Sequence, residues 1–380
     1  MNPRFTMDGS DALERHLAAT CERVAEGVRA LVPAAKLEGV LLGGGYGRGE
    51  GGVLRTAQGD RPYNDLEFYV LIRGCSFLNE RRHVHPLHEL GEKLSPDARL
   101  EVEFKILSLR KLRSSPVNMF YYDLVMGHRW FGGDDSLLAG CEHHRDAARI
   151  PLDEATRLMM NRCSGLLFAA ERLQRANFTD DDADFVRRNL AKAQLGFGDA
   201  VLAAGGQYHW SCRERKARLQ ALQATGAAAW MDPVRRHHAA GVDFKLHPVR
   251  SCDSREDLRQ RHQEMTRLAE LIWLWLENRR LRASFASVGD YALSEANKCP
   301  EASPLRNRLV TAKAFGMTAA LSPLGGRYPR ERLLESLALL LWGGALDDTA
   351  RQRLRRNLDA DPNNFAGWVE AYDGLWRRFN

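Results

Sequence analysis

Two groups of residues in the first third of the chain could do chemistry together. Seven glycines fall within ten residues, in GGGYGRGEGG at 43–52, and further along Asp65 and Glu67 precede the apolar run FYVLI. Glycines have no Cβ, so their backbone N–H groups can approach a phosphate closely. Carboxylates at i and i+2 of a strand point to the same face. The pattern predicts a divalent metal held beside a phosphate chain.

Hydrophobic spacing predicts the elements that would hold these residues in place. Apolar residues at helical spacing predict a helix over 11–31, before Pro33. A first strand is expected over 36–42, running directly into the glycines, and a second over 65–72. The segment between them, 54–63, contains Gly-Asp and Pro and is predicted to be a turn.

A third strand is predicted over 99–107, where RLEVEFKIL alternates strictly between apolar and polar residues. Glu101, Glu103 and Lys105 leave the same face of this strand. Periodicity alone does not distinguish the two carboxylates. Before this strand, a helix is expected from Pro86 through residue 93. After it, an aromatic-rich segment at 116–135 is expected to close the first domain.

The glycine and carboxylate motifs resemble those of a known superfamily. GGYGRGE, at 44–50, resembles the loop of bacterial signal-protein uridylyltransferases, and PYNDLEFYV, at 62–70, resembles kanamycin nucleotidyltransferase. Both have the nucleotidyltransferase core shared by polymerase-beta-like enzymes, and the resemblance covers residues 35–110. Glu67 replaces the second aspartate of the commoner Asp-x-Asp pattern, as it does in the aminoglycoside enzymes.

The resemblance implies a catalytic arrangement of carboxylates. Asp65 and Glu67 would hold Mg²⁺, or alternatively Mn²⁺, against the triphosphate of an NTP, with ATP expected. A third carboxylate on the neighbouring strand would complete the metal site or act as general base. Glu101 is the first choice for that role, and also for the third metal ligand, and Glu103 is the second.

The same resemblance implies the residues that contact the nucleotide. Arg48 would add charge beside the phosphates or pair with Glu50, and the two alternatives are left open. In the helical region, Lys192 and Asp199 lie seven residues apart on one face and resemble cleft residues of the second domain of small-molecule nucleotidyltransferases. The predicted nucleotide-binding residues in the loop are Gly44, Gly45, Tyr46, Gly47 and Arg48.

The predicted fold class is α+β, with a small mixed-sheet nucleotidyltransferase domain followed by a mainly helical C-terminal region. Three consecutive domains are expected, at 1–135, 136–282 and 283–380, the last as a helical extension. Residues 225–258 are expected to be loop-rich. Helices are predicted at 151–176, 184–204, 208–222, 257–280, 330–342 and 365–379.

Composition limits the classes of partner and compartment. The 380 residues include 55 Lys and Arg against 49 Asp and Glu, a net charge of +6 that permits anionic ligands without demanding nucleic acid. Seven scattered cysteines without a CxxC motif predict reduced thiols in a cytoplasmic protein. The N-terminus lacks the apolar region of a signal peptide, and no apolar run is long enough to span a membrane.

The predicted function is transfer of an NMP group from an NTP to an acceptor hydroxyl or phosphate, with release of pyrophosphate. A small-molecule acceptor is expected, and a homodimer is left open. The alternatives are a protein-modifying nucleotidyltransferase and a non-catalytic interaction module with the same fold. An RNA end-adding enzyme would need a basic tract interleaved with aromatic residues, which no segment shows, so nucleic acid is not expected as a partner.

Overall fold

The computed structural model describes residues 4–222, 229–249, 253–344 and 346–380. These residues form two compact units, each of which is discontinuous in sequence. The first unit comprises residues 4–154, 202–222 and 235–249. The second comprises residues 155–201, 229–234, 253–344 and 346–380.

The N-terminal part of the chain alternates strands with helices. Its elements are α1 (Asp11–Leu31), β1 (Leu37–Leu42), α2 (Gly44–Gly47), β2 (Gly52–Thr56), β3 (Gly59–Tyr63), β4 (Asp65–Ile72), α3 (Ser76–Ala98), β5 (Glu101–Leu107), α4 (Leu109–Ser114), α5 (Met119–Met126) and β6 (Arg129–Gly132). Three short 3₁₀ turns follow, at Asp135–Leu138, Glu142–Arg145 and Ala147–Arg149.

The remainder of the described chain is helical. Its elements are α6 (Leu152–Gln174), α7 (Asp180–Ala204), α8 (Cys212–Ala221), α9 (Met231–Leu246), α10 (Arg255–Leu281), α11 (Val288–Leu293), α12 (Pro304–Phe315), α13 (Met317–Leu321), a 3₁₀ turn (Pro323–Gly326), α14 (Arg330–Trp342), α15 (Asp348–Leu358) and α16 (Phe365–Phe379). The predicted α+β class, with a small mixed sheet followed by a helical region, is confirmed. None of the described helices is long and apolar enough to cross a membrane.

A four-stranded sheet with the order β5-β4-β1-β6 organises the first unit. Strands β4 and β5 are parallel, whereas β1 pairs antiparallel with both β4 and β6. On one face, Phe68 and Val70 join the buried core that α1 and α3 cover. On the other face, Tyr69 and Leu71 pack with residues of α4 and α5. Asp65 and Glu67, at the polar start of β4, lie on this second face and precede the buried residues Tyr69 and Leu71.

Several elements differ from the sequence prediction. The predicted turn at 54–63 is a hairpin of β2 and β3, and the fourth sheet strand, β6, was not predicted. Helix α3 begins ten residues before Pro86 and contains it, because Asn79, His83 and Leu87 bury one continuous face. Helix α9 occupies part of the segment expected to be loop-rich, and its buried stripe is formed by Val234, His238 and Val242.

The two units also replace the three consecutive domains predicted. Segment 202–222 belongs with the N-terminal sheet because its side chains and amides bind residues of the first unit, as described below. The C-terminal helices are not a separate extension. Tyr372 of α16 hydrogen-bonds Ser164 of α6 at 2.7 Å, and Trp342 of α14 donates to the Thr266 carbonyl of α10 at 2.9 Å.

Tyr46 provides a test of how the glycine segment is attached to the hairpin. Its buried hydroxyl lies 2.9 Å from both the Gly52 and the Tyr63 carbonyl oxygens and accepts the Tyr63 N–H at 2.8 Å. Tyr46→Phe strands these buried groups, so we expect a loss of about 1–3 kcal/mol in the free energy of unfolding.

The measurement is denaturant unfolding, with Tyr121→Phe as the matched control. Within the described residues, the Tyr121 side chain makes ring contacts but no hydroxyl hydrogen bond. Equal stability losses in the two variants would contradict the role assigned to the Tyr46 hydroxyl.

Candidate active site

Four carboxylates lie in a two-by-two array on neighbouring parallel strands. The register of β4 and β5 places Asp65 beside Glu101 and Glu67 beside Glu103. Alternation along each strand sends all four side chains to the same face of the sheet. Asp65, Glu67 and Glu103 are half-buried, whereas Glu101 is exposed. The carboxylates that the sequence prediction selected are therefore neighbours in space.

Glu67 is held by two side chains. The Tyr69 hydroxyl donates to Glu67 Oε2 at 2.7 Å, and Lys105 Nζ lies 3.9 Å from the same oxygen. Lys105 Nζ is also 4.0 Å from Glu103 Oε2. Burial and the Glu67 charge raise the pKa of Tyr69, so its hydroxyl stays protonated and acts as a donor. Lys105 supplies the positive charge between the two strands.

Electrostatics distinguish Glu103 from Glu101. Burial and the negative charge of Asp65 raise the pKa of Glu103, with smaller contributions in the same direction from Glu101 and Glu67. Among the carboxylates that raise the pKa of Glu103, Asp65 contributes most, although Glu101 is the register partner of Asp65. Glu103 is half-buried and lies 4.0 Å from Lys105 Nζ, whereas Glu101 is exposed, so Glu103 is the better enclosed of the two carboxylates on β5.

The four carboxylates of the array offer only oxygen atoms to a metal ion. Within the described ranges, no three His, Cys, Asp or Glu side chains already converge closely enough to hold an ion. The donor set nevertheless fits a hard cation, because it consists of carboxylate oxygens alone, and burial together with the neighbouring carboxylates raises the pKa of Glu103. A cation bound by Glu67 and Glu103 would have to displace Lys105.

The glycine segment turns sharply against Glu67. The N–H of Gly43 donates to the Glu67 carbonyl at 2.9 Å, and Gly44, at φ +61°, begins helix α2. A Cβ on Gly44 would lie 3.4 Å from Glu67 Cδ. The first amides of a helix have no acceptor within it, so those of Gly44, Gly45 and Tyr46 lead α2 as donors. The start of α2 therefore lies against the carboxylate array.

Three predicted loop contacts need correction. The N–H of Gly47 donates to the Gly43 carbonyl at 2.9 Å, and a Cβ there would lie 2.2 Å from the Leu42 carbonyl oxygen. Gly47 is therefore required for the turn, and its N–H is already used. A Cβ on Gly45 would lie 3.1 Å from the Glu50 carbonyl oxygen, so this position faces the inside of the loop. The Tyr46 side chain is buried and can contribute only its amide.

The two charged loop residues do not pair with each other. Arg48 Nη1 lies 2.9 Å from Asp123 Oδ2, and the Arg48 side chain is only 10% exposed. Burial opposes the charge on Arg48, but Asp123 outweighs it and raises the pKa of the guanidinium. Glu50 accepts hydrogen bonds from the Ser211 hydroxyl and from the Cys212 N–H, the latter at 2.8 Å. The alternative in which Arg48 pairs with Glu50 is therefore wrong.

Sequence analysis missed the partners of these two charges. Asp123 also accepts the Tyr208 hydroxyl at 3.2 Å, and Arg215 donates to that hydroxyl at 3.2 Å. Ser211 followed by Glu214 is a capping-box sequence, which could have indicated a helix start at Cys212 rather than at Tyr208. No sequence signal indicated that this helix start would bind Glu50.

Lys245 adds a further positive charge near the loop. Burial and the charge of Arg48 lower its pKa, whereas Glu50 and the Cys212 thiol act in the opposite direction. Lys245 in turn helps to lower the pKa of Glu50. Together with Arg48 and Arg215, it gives three basic side chains around the loop against the two carboxylates Asp123 and Glu50.

Lys192 and Asp199, the predicted cleft residues, belong to the second unit. Both lie on α7, but Lys192 is exposed whereas Asp199 is buried, at 6% exposure. Two turns of separation therefore do not give them the same environment. Lys192 lines a groove within its own unit, which is described further below.

Comparison of the chain with protein-family models, with curated proteins and with solved structures yields no match. The arguments for a function therefore come from the fold and the site geometry.

The Glu50 carboxylate makes the stability of this unit pH-dependent. Burial raises its pKa, but the hydrogen bonds from Ser211 and Cys212 and the charge of Lys245 outweigh this and lower the pKa below the ordinary value. Its stabilisation should therefore be complete at neutral pH and decline as pH falls below the ordinary glutamate pKa of about 4.3. Glu50→Gln should cost about 2 kcal/mol at neutral pH.

Unfolding free energies at neutral pH and at pH near 4 test this, with Glu26→Gln as the control on the exposed face of α1. The difference between wild type and Glu50→Gln should shrink in acid. A difference that is constant with pH would show that the charge of Glu50 is not what stabilises the contact with α8.

Proposed function

We propose that the protein is a metal-dependent nucleotidyltransferase. The observation that carries the proposal is the glycine turn at Gly44 lying against Glu67, which shares one face of two parallel strands with Asp65 and Glu103. Helix amides suit phosphate oxygens, and clustered carboxylates suit a divalent cation. A nucleoside triphosphate is a ligand that needs both at neighbouring positions. The resemblance of the loop and of the Asp-x-Glu strand supports the same reading.

The carboxylates have separate roles in this proposal. Asp65, Glu67 and Glu103 would hold Mg²⁺, or Mn²⁺ in its place. When bound, such an ion neutralises phosphate charge and aligns the attacking and leaving oxygens. Tyr69 orients Glu67 through its hydrogen bond. Glu101, the fourth member of the array, is exposed at the start of β5 and is not assigned to the ion.

The glycine loop would bind the phosphates through its backbone. The leading amides of α2 donate to phosphate oxygens, while Arg48, Arg215 and Lys245 make the surroundings of the loop positive. Arg48 is tied to Asp123, so it acts by charge and by holding the loop rather than by reaching for the ligand. ATP is the NTP we would test first.

The transfer itself joins the acceptor oxygen to the α-phosphorus and breaks the bond from that phosphorus to the pyrophosphate oxygen. The acceptor proton passes to a carboxylate of the array or to water. The acceptor is expected to be a small molecule bearing a hydroxyl or phosphate. Incubation with each α-labelled NTP, Mg²⁺ and a cell extract identifies the class of acceptor. The label is expected in small molecules, and label in protein or in RNA would indicate the other acceptor classes.

Asp65→Asn should abolish transfer of the label while leaving the fold intact, because it removes one charge at the site without changing side-chain size. The same substitution should lower the pKa of Glu103, since Asp65 raises it. Near-normal Mg²⁺-dependent pyrophosphate release by this variant would contradict the metal assignment.

Glu103→Gln and Glu101→Gln form a matched pair on one strand. We expect Glu103→Gln to lower the single-turnover rate by about 10²-fold or more, as for a lost general base or ligand, and Glu101→Gln to lower it far less. Rates are compared at saturating NTP so that binding does not mask chemistry. A larger loss in Glu101→Gln would restore the order predicted from the sequence.

Lys105 favours one second candidate, a non-catalytic module with the same fold. Its ammonium already compensates Glu67 and Glu103, so the array is stable without another cation. Lys105→Met separates the two candidates. If the array binds metal, this variant should bind Mn²⁺ several-fold more tightly than wild type in calorimetry. Absence of Mn²⁺ binding in both proteins, together with no pyrophosphate release, would favour the non-catalytic module.

A further inference from the structure

The second unit contains an open groove of about 1140 Å³ that is independent of the carboxylate site. One face of α6 from Asn161 to Arg172 runs along it, which at 1.5 Å per residue is a length of about 17 Å, and Arg175 lies just past the end of the helix. Faces of α7 and α16, with the turn before α16, supply the other lining residues. This volume exceeds that of most small-molecule pockets, which are about 300–1,000 Å³.

Cations outnumber carboxylates along the groove. The lining carboxylates are Glu171, Glu370 and Asp373. Twice as many cations line the same surface: Arg162, Arg172, Arg175, Arg188, Lys192 and Arg377.

Several of these cations are held in ion pairs, partly with carboxylates outside the lining. Arg175 pairs with Glu171 and Asp182 at 2.9 and 3.0 Å, and Arg188 pairs with Asp184 at 2.9 Å. Arg172 pairs with Asp182 at 2.7 Å, and its guanidinium lies over the Phe185 ring at 4.2 Å. Arg377 pairs with Asp373 at 2.7 Å, although its side chain remains 74% exposed. Lys192 is exposed on α7. Ordered guanidinium groups at the rim lose less freedom when an anionic ligand binds.

Two buried polar atoms in the lining lack a hydrogen-bonding partner within the described residues. They are the Asn161 Oδ1 acceptor and the Trp376 Nε1 donor. Buried polar groups without partners are uncommon because each costs free energy. The Trp376 ring packs edge-to-face with Phe168, at a centroid distance of 5.7 Å. Both atoms are shielded from solvent in this conformation, so a ligand with donors and acceptors would satisfy them once the two side chains turn toward the groove.

We propose that this groove binds single-stranded nucleic acid. Each nucleotide carries a phosphate for the rim cations, a base with donors and acceptors for Asn161 and Trp376, and an aromatic face. Basic grooves that also present aromatic side chains are characteristic of proteins that bind single strands. The length and volume of the groove accommodate several linked nucleotides, which favours a strand over a mononucleotide.

This inference does not depend on nucleotidyl transfer, and it runs against the expectation from the sequence. No single segment of the sequence combines basic and aromatic residues in this way. In the structure, three helices together bring such residues to one surface. Its cations and rings come from 162–192 and from 376–377, which are far apart in the chain. Charge and aromatic side chains converge only after the helices pack.

Fluorescence anisotropy with labelled single-stranded RNA and DNA of about eight nucleotides tests the proposal. Lys192→Glu combined with Arg377→Glu reverses two exposed rim charges on different helices. We expect about tenfold or greater loss of affinity, and a slope of log K against log salt that falls by about two. Trp376→Phe, which keeps a ring but removes the N–H, should weaken binding several-fold.

The matched control is Arg15→Glu combined with Arg267→Glu, which makes the same charge change at exposed positions outside the groove lining. It should lose much less affinity than the groove variant, and Asp65→Asn should bind as wild type does. Equal losses in the groove and control variants, or no binding of single strands by wild type, would overturn the proposal. Binding of AMP in the groove without binding of oligonucleotides would also overturn it.

Discussion

The candidate site depends on two opposite charges, two residues apart, that are each held by a different buried partner. Arg48 is tied to Asp123 of α5, and Glu50 is tied to the N-terminus of α8. A buried charge is costly unless it is paired and hydrogen-bonded, so neither contact can be lost without stranding its partner. Together they hold the second half of the glycine loop against α5 and against a segment over 150 residues later.

This dependence explains the discontinuous architecture of the first unit. The sheet and its helices supply the carboxylates, but the loop beside them is completed by segment 208–215. A helix N-terminus offers unsatisfied N–H groups, and Glu50 satisfies those of Cys212 and Arg213 at 2.8 and 3.4 Å. The arrangement serves the loop and the helix at once.

The parallel register of β4 and β5 is a second constraint. It places four carboxylates side by side, which is unfavourable unless positive charge is near. Lys105 supplies that charge within the chain, and a divalent cation would supply more of it. Burial and the charge of the neighbouring Asp65 together raise the pKa of Glu103. In the second unit buried charges are instead paired closely, as in Lys298 with Glu335 at 3.1 Å.

Much of the first unit was determined by the sequence itself. Period-3.6 and period-2 patterns located α1 and β4 with the bounds that the structure has, and β5 within two residues. Alternation alone placed Asp65 and Glu67 on one face of their strand, and Glu101 and Glu103 on one face of a second strand. These patterns are local, because the burial of one face dictates them residue by residue.

Only the tertiary structure decided which residues meet. It paired Arg48 with Asp123 and Glu50 with α8, left Glu101 exposed while half-burying Glu103, buried the Tyr46 side chain and assigned Lys192 to a groove of its own unit. It also placed α16 against α6, where residues some 200 positions apart form one basic and aromatic surface. Such contacts depend on how helices and strands pack over long separations, and hydrophobic periodicity carries no information about the partner across the interface.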